Sequence, residues 1–201
     1  MKHLQIAIMA HPRRSQFVPY LLKRLGHSTP VIYDQKSNIW DTCRRAWLAG
    51  LEAAQENGAS HVAVVQDDAL VCDGFRKQAE DFIAKHPGEY VYSFYAGKML
   101  ATRIREARRK RRDYVEGGFI FNEVALCLSV DVIERMVAYC DERGATTDQD
   151  ITKWMKTARH TVLYSVPSLI DHRDTESLYE EIYKKPKFSK PRKAFLYADQ
   201  K

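Results

Sequence analysis

His61-Val62-Ala63-Val64-Val65-Gln66-Asp67-Asp68-Ala69-Leu70 is the stretch that decides the fold. Val62 to Val65 form an unbroken apolar run, rich in β-branched residues, that stops at an amide and two adjacent carboxylates. A continuous run of this kind reads as a strand buried on both faces, as at the centre of a parallel sheet. Ligands of open α/β sheets bind outside the carboxyl ends of such strands. Two acids at that end point to a hard divalent cation, because Mg²⁺ and Mn²⁺ take carboxylate oxygen and often share it with substrate phosphates.

Working outward, residues 4–10 read as a first strand, followed by the loop His11-Pro12-Arg13-Arg14. Residues 16–25 have helical spacing, with Phe17, Tyr20, Leu21 and Leu25 on one face. Residues 30–33 are a second strand ending at Asp34. Residues 41–57 are a helix that Asp41 can cap and Gly58 stops. Past the central strand, residues 73–85 are a helix ended by Pro87-Gly88, and 90–95 a strand. Residues 119–128 are one strand or two short ones, and 129–143 a helix stopped at Gly144. A helix over 147–158, a strand over 161–166 and the segment Val166-Pro167-Ser168-Leu169-Ile170-Asp171-His172 complete the pattern. The β-α-β-α-β alternation predicts an α/β fold with a mixed, mainly parallel, Rossmann-like sheet flanked by helices.

A chain of 201 residues, 45% hydrophobic, suits one domain over 1–177, with a basic insertion at 99–114 and a Lys/Pro-rich tail over 178–201. No apolar run reaches the ~20 residues needed to span a bilayer. Neither GxGxxG nor GxxxxGK[ST] occurs, which removes the dinucleotide fingerprint and the P-loop. Cys43, Cys72, Cys127 and Cys140 form no CxxC pair, so the expectation is free thiols in a reducing cytoplasm and no zinc site.

The net charge of +6 is concentrated. Arg103, Arg105, Arg108, Arg109, Lys110, Arg111 and Arg112 stand against Glu106 alone, so this segment carries the whole excess. Lys184, Lys185, Lys187, Lys190, Arg192 and Lys193 form a second cluster. Localised positive charge favours a polyanionic partner. Tyr95, Tyr114 and Phe119 flank the first cluster, and aromatics beside a cationic strip suit phosphate contact plus base stacking. The structural alternative is a solvated charged face.

Four further groups carry two readings each. Asp67 and Asp68 are either a surface turn or a metal and diphosphate site. His172 is either a hydrogen-bonded core group or an imidazole recruited to a carboxylate metal site. Trp40-Asp41-Thr42-Cys43-Arg44-Arg45-Ala46-Trp47 is either an amphipathic turn with solvated arginines or one that sets Arg44 or Arg45 on a nucleotide phosphate or base. Thr147-Asp148-Gln149-Asp150 is either a capping box or the source of a general base, Asp150 or Asp148.

These pieces occur in an order that resembles small GT-A-type glycosyltransferases, especially short bacteriophage-encoded ones. The chain is also similar to the family of lipopolysaccharide and collagen galactosyltransferases. The carrying residues are Ala10-His11-Pro12-Arg13-Arg14, Ile39 to Ala46, Val64-Val65-Gln66-Asp67-Asp68-Ala69 and the late segment ending at His172. The match spans about Ile6 to Ser177. The resemblance implies a nucleotide-sugar donor, a UDP-sugar first among them, a Mn²⁺ or Mg²⁺ ion and transfer to a hydroxyl. It implies that Asp68 and His172 bind the metal and that Asp67 faces ribose or a metal-bound water. Ala10, His11, Pro12, Arg14 and Asp34 would hold the nucleoside, with Trp40, Arg44 and Arg45 beside it. Asp150 first and Asp148 second would be the base, and direct displacement with such a base inverts the anomeric centre. The sequence departs from the family pattern at Gln66, a neutral amide where the acid motif begins.

The basic segment then belongs to the acceptor. A hydroxylated (hydroxymethyl) base in phage-type DNA fits it, and so do the phosphates of lipopolysaccharide. Two other classes stay compatible with the residues. A metal nuclease could use Asp67, Asp68, Asp150 and Asp171, and a non-enzymatic nucleic-acid-binding module could use the basic strip alone.

Overall fold

Leu4–Ala10 (β1) and His61–Gln66 (β3) are buried on both faces and pair in parallel, as their apolar runs require. The computed structural model describes residues 4–147, 149–173, 175 and 193–199. Asp148, and most of the expected tail, lie outside the described residues. A 3₁₀ turn over Pro12–Phe17 follows β1 and leads into Val18–Leu25 (α1), which buries Val18, Leu21 and Leu25. Val31–Tyr33 (β2) lies on the other side of β1, again parallel. Ile39–Asn57 (α2) begins two residues earlier than the sequence suggests. Its cap is Asn38, whose side chain accepts the Asp41 N–H at 3.1 Å, and not Asp41. Gly58 ends it in the left-handed region at φ 68°, where a residue without Cβ is unstrained.

After β3 the chain makes a three-residue strand, Ala69–Val71 (β4), then Phe75–Lys85 (α3) and Tyr90–Ser93 (β5). The basic segment forms Ala101–Arg109 (α4). The strands expected within 119–128 are displaced: they are Tyr114–Gly117 (β6) and Ala125–Ser129 (β7). Residues between them form no ladder because the Tyr164 hydroxyl takes their backbone, donating to the Phe119 carbonyl at 2.5 Å and accepting the Phe121 N–H at 3.2 Å. Val130–Glu142 (α5), capped by Ser129, Asp150–Thr157 (α6), Thr161–Ser165 (β8) and Ile170–His172 (β9) follow.

The main sheet has the order β2-β1-β3-β7-β5-β8-β6. Pairing directions make β2, β1, β3, β5 and β8 run one way and β7 and β6 the other, so the sheet is mixed and mainly parallel. Side chains alternate across it. Val62 and Val64 join Trp47, Leu51, Leu126 and Ile133 on the face covered by α2, α4, α5 and α6. Ala63 and Val65 join Ile6, Ile8, Leu21 and Phe75 on the face covered by α1 and α3. The α2 face is tight at Gly50, where an added Cβ would stand 2.5 Å from Val62 Cγ1. Gly50→Ala is expected to destabilise by about 1–3 kcal/mol through overpacking, read as a fall in urea midpoint at unchanged slope.

A second, two-stranded sheet pairs β4 with β9, with Ala69 opposite His172 and Val71 opposite Ile170. Lys193–Asp199 returns along the same edge. Ala194 N–H donates to Asp171 Oδ1 at 2.6 Å, Phe195 N–H to the Ala96 carbonyl at 2.9 Å and Ser168 N–H to the Leu196 carbonyl at 2.8 Å.

Candidate active site

The carboxyl ends of the five co-directional strands set the site. β1 ends at Ala10, whose carbonyl accepts the Asp34 N–H at 2.8 Å, so the ends of β1 and β2 are joined. His11 follows with its N–H on Asp67 Oδ2 at 2.7 Å and its Nε2 3.9 Å from Asp34 Oδ2. Pro12 opens the 3₁₀ turn, where it loses no needed donor. The turn aims Arg14 at the acid pair, with Nη1 2.6 Å from Asp68 Oδ2 and 3.2 Å from Asp67 Oδ1. Asp67 and Asp68 are 4% and 2% exposed, far below what a surface turn allows, so that reading falls. Burial first, and the charge of Asp68 second, push Asp67 above the ordinary carboxylate range, against the pull of the His11 N–H and Arg14.

The second sheet brings His172 to the pair. Its Nε2 lies 3.2 Å from Asp68 Oδ2, an ion-pair distance without hydrogen-bond geometry. Its Nδ1 is 2.5 Å from the Arg173 carbonyl, which assigns a proton to Nδ1, so that in the neutral imidazole the lone pair is on Nε2. An imidazole lone pair and a carboxylate oxygen facing each other in a buried space are a donor set for a divalent cation. Among the described residues no three His, Cys, Asp or Glu side chains converge on one point. Asp68 and His172 are an oxygen and a nitrogen donor of the kinds that Mg²⁺ or Mn²⁺ can take together with phosphate oxygens and water. Asp171, beside His172, instead holds the chain: it accepts the His172 and Ala194 N–H groups and faces Lys193 Nζ at 3.8 Å.

Other expected residues take other partners. Trp40 Nε1 and Arg44 Nε both donate to Asp141, at 2.8 and 2.7 Å, and so tie α2 to α5. Arg45 bonds Asp41 and the Tyr33 carbonyl, bracing the end of β2. Asp150 accepts the N–H groups of Thr146 and Thr147 and pairs with Lys153 at 2.5 Å. Its neighbour Ile151 lines a cleft with Met9, Gln66, Cys43, Trp47 and Glu123, so the start of α6 reaches the carboxyl end of β3. Burial pushes Asp150 up, but Lys153 and the two N–H groups outweigh it and hold the carboxyl below its ordinary value. Burial pushes the thiols of Cys72 and Cys140 up to about 12, which removes them as nucleophiles at neutral pH.

Leu100, Ile104 and Ala107 pin the basic segment to the core, leaving Arg103, Arg105, Arg108, Arg109, Lys110, Arg111 and Arg112 exposed. Lys110 pairs with Glu106 at 2.6 Å and Arg105 lies over the Phe195 ring at 5.0 Å. Glu123, Asp141 and Arg173 carried no sequence signal beyond adjacency: Arg173 follows His172, and Glu123 precedes a strand.

No protein-family model matches the chain, and no curated protein sequence matches it. Among solved structures, the crystal structure of a glycosyltransferase involved in the glycosylation of the major capsid of PBCV-1 is similar over 90% of this chain and 98% of its own, with a TM-score of 0.53 and 10% identity. The crystal structure of a protein from STIV is similar over 84% of this chain and 85% of its own, with a TM-score of 0.51 and 10% identity. At such identity the likeness is one of fold, and the fold of this chain is GT-A-like: a mixed, mainly parallel sheet between helices, with a small second sheet beside its carboxyl edge.

Proposed function

We propose that the protein is a metal-dependent glycosyltransferase that moves a sugar from a nucleotide donor, a UDP-sugar first, to a hydroxyl on a polyanionic acceptor. The observation that carries this reading is the buried pair Asp67-Asp68, facing the His172 lone pair at the carboxyl end of β3. The fold shared with a viral capsid glycosyltransferase supports it. Asp68 and His172 would hold Mn²⁺ or Mg²⁺, which supplies Lewis-acid stabilisation of the departing diphosphate. His11, Arg14, Asp34 and Asp67 are in contact with one another, and with Ala10 and Pro12 of the same loop they would hold the nucleoside. Arg14 now neutralises the acids and would turn to phosphate oxygen when the donor enters. Trp40, Arg44 and Arg45 act at one remove, by bracing α2.

The acceptor hydroxyl attacks the anomeric carbon as the bond to the diphosphate breaks. The electron pair leaves with the diphosphate, and the hydroxyl proton passes to Asp150, at the start of α6, or to Asp148. In-line displacement inverts the anomeric centre. Lys153→Ala separates the two acids. Loss of the ammonium raises Asp150 toward its ordinary value, so a rate that depends on ionised Asp150 loses its acid side at higher pH than wild type. An unmoved kcat/KM–pH profile assigns the proton to Asp148.

The exposed arginines of α4 favour nucleic acid, with a hydroxymethylated base of phage-type DNA as the acceptor; a phosphorylated lipopolysaccharide core is the second. A nuclease is disfavoured by the absence of a third converging acid among the described residues. The test is release of nucleoside diphosphate from UDP-, GDP- and TDP-sugars with Mn²⁺ or Mg²⁺, with and without hydroxymethylated DNA. Turnover stimulated by that DNA is expected. Turnover without stimulation moves the acceptor to a glycan. No turnover, with salt-sensitive DNA binding, leaves a binding module.

A further inference from the structure

Arg173 stands out as a cation held against aromatic rings. Its guanidinium carbon lies 4.8 Å from the centre of the Phe17 ring and 4.6 Å from that of Tyr20. Its Nε is buried and has no hydrogen-bond partner among the described residues. Among the described residues no acid lies within ion-pair distance of it. The rings are not loose. The Tyr20 hydroxyl is fixed at 3.1 Å to both the N–H and the carbonyl of Val71. The Arg173 backbone is fixed as well, with its N–H on the Asp68 carbonyl at 2.8 Å.

A guanidinium carries five donors in one plane. Aromatic rings packed against it supply attraction but accept none of those donors in-plane. A buried N–H left unmade costs free energy comparable to a lost hydrogen bond, so an acceptor is expected at that edge. The nearby carboxylates do not serve. Asp67 and Asp68 are taken by Arg14, and Asp171 by Lys193 and two backbone N–H groups. Among the described residues those three carboxylates share only two cations, Arg14 and Lys193, and Arg173 supplies the third, one residue from His172 and one helical turn from Arg14 along the Phe17 side. Two buried aspartates repel phosphate, and a diphosphate approaching them needs more positive charge than a divalent ion alone provides.

We propose that Arg173 is a phosphate-binding residue, held against the Phe17 and Tyr20 rings to receive the diphosphate of the donor beside the Asp67-Asp68 pair. This rests on the sugar-nucleotide reading for the ligand's identity, but binding of pyrophosphate does not depend on sugar transfer. The planar fork suits two phosphate oxygens at once, which Lys cannot match.

The test is titration of inorganic pyrophosphate in metal-free buffer against wild type, Arg173→Met, Arg173→Lys and an Arg135→Ala control on the exposed side of α5. Met keeps the stem on the rings and removes the charge. Arg173→Met is expected to weaken binding at least about tenfold at an unchanged melting temperature, with Lys intermediate and the Arg135 control near wild type. Wild-type affinity in Arg173→Met, or an equal loss in the Arg135 control, overturns the assignment. A second measurement needs no variant: pyrophosphate should protect Arg173 of the wild-type chain from arginine-selective dicarbonyl modification, mapped by mass spectrometry. Absence of protection also overturns it. If pyrophosphate binds through Arg173 while no sugar nucleotide is consumed, the transferase reading fails and the phosphate site stands. If sugar nucleotides turn over and Arg173→Met binds normally, the reverse holds.

Discussion

Asp68→Ala is expected to lower donor turnover by at least about a thousandfold, since a metal's stabilisation of transition-state charge is worth several kcal/mol and each 1.36 kcal/mol is tenfold. The folded state should survive the change. Asp68 and Asp67 are buried like charges, and burial with mutual repulsion already pushes Asp67 above the ordinary range. Removing one acid relieves that repulsion and leaves Arg14 a partner 3.2 Å away in Asp67. A melting temperature near that of wild type, together with lost turnover, assigns the defect to chemistry. Asp68→Asn keeps the shape and removes the charge, and should fall nearly as far. Chelation of the wild type by EDTA should reproduce the variant's rate, with Mn²⁺ restoring the wild type alone. A variant that keeps its rate, or a wild type indifferent to EDTA, removes the metal from the proposal.

Replacing Arg105, Arg108, Arg109 and Arg112 together with Ala is expected to weaken binding to DNA by roughly a thousandfold at low salt, and to reduce the slope of log K against log salt by about 4. The apolar side of α4 is untouched, because Leu100, Ile104 and Ala107 hold it to the core. Donor hydrolysis without acceptor should therefore be unchanged. That split, an intact donor reaction with a lost polyanion response, is what separates an acceptor surface from a solvated face. An unchanged salt slope returns the helix to the solvated reading.

The central strand was readable because its apolar run has no other stable use. The acid pair followed from where that run stops. Arg14 and His172 were readable only through motif order, since nothing local links the loop after β1 to a histidine far along the chain. The short strands β4 and β9 escaped because three residues carry no periodicity. Trp40 and Arg44 were assigned to ligand, and the structure gives them Asp141, a partner about a hundred residues away with no local signature. The basic segment was seen as charge and not as a helix, although Leu100, Ile104 and Ala107 already repeat at helical spacing. The displaced strand boundary near Gly117 shows the reverse effect, in which one tyrosine hydroxyl overrides an apolar pattern.

The ladder between β4 and β9 joins segments about a hundred residues apart, and it helps to seat His172 against Asp68. A ribosome has therefore delivered most of the chain before the site can exist. Until then the two aspartates hold only the cation supplied by the loop after β1, and the nascent protein folds its sheet without catalytic competence. Loop closure of that span is entropically slow, so the active centre is expected to be the last part of the molecule to form on refolding and the first to open under denaturant. A proteolytic nick within residues 166–169 would leave every strand of the main sheet on one fragment, folded but expected to be chemically silent.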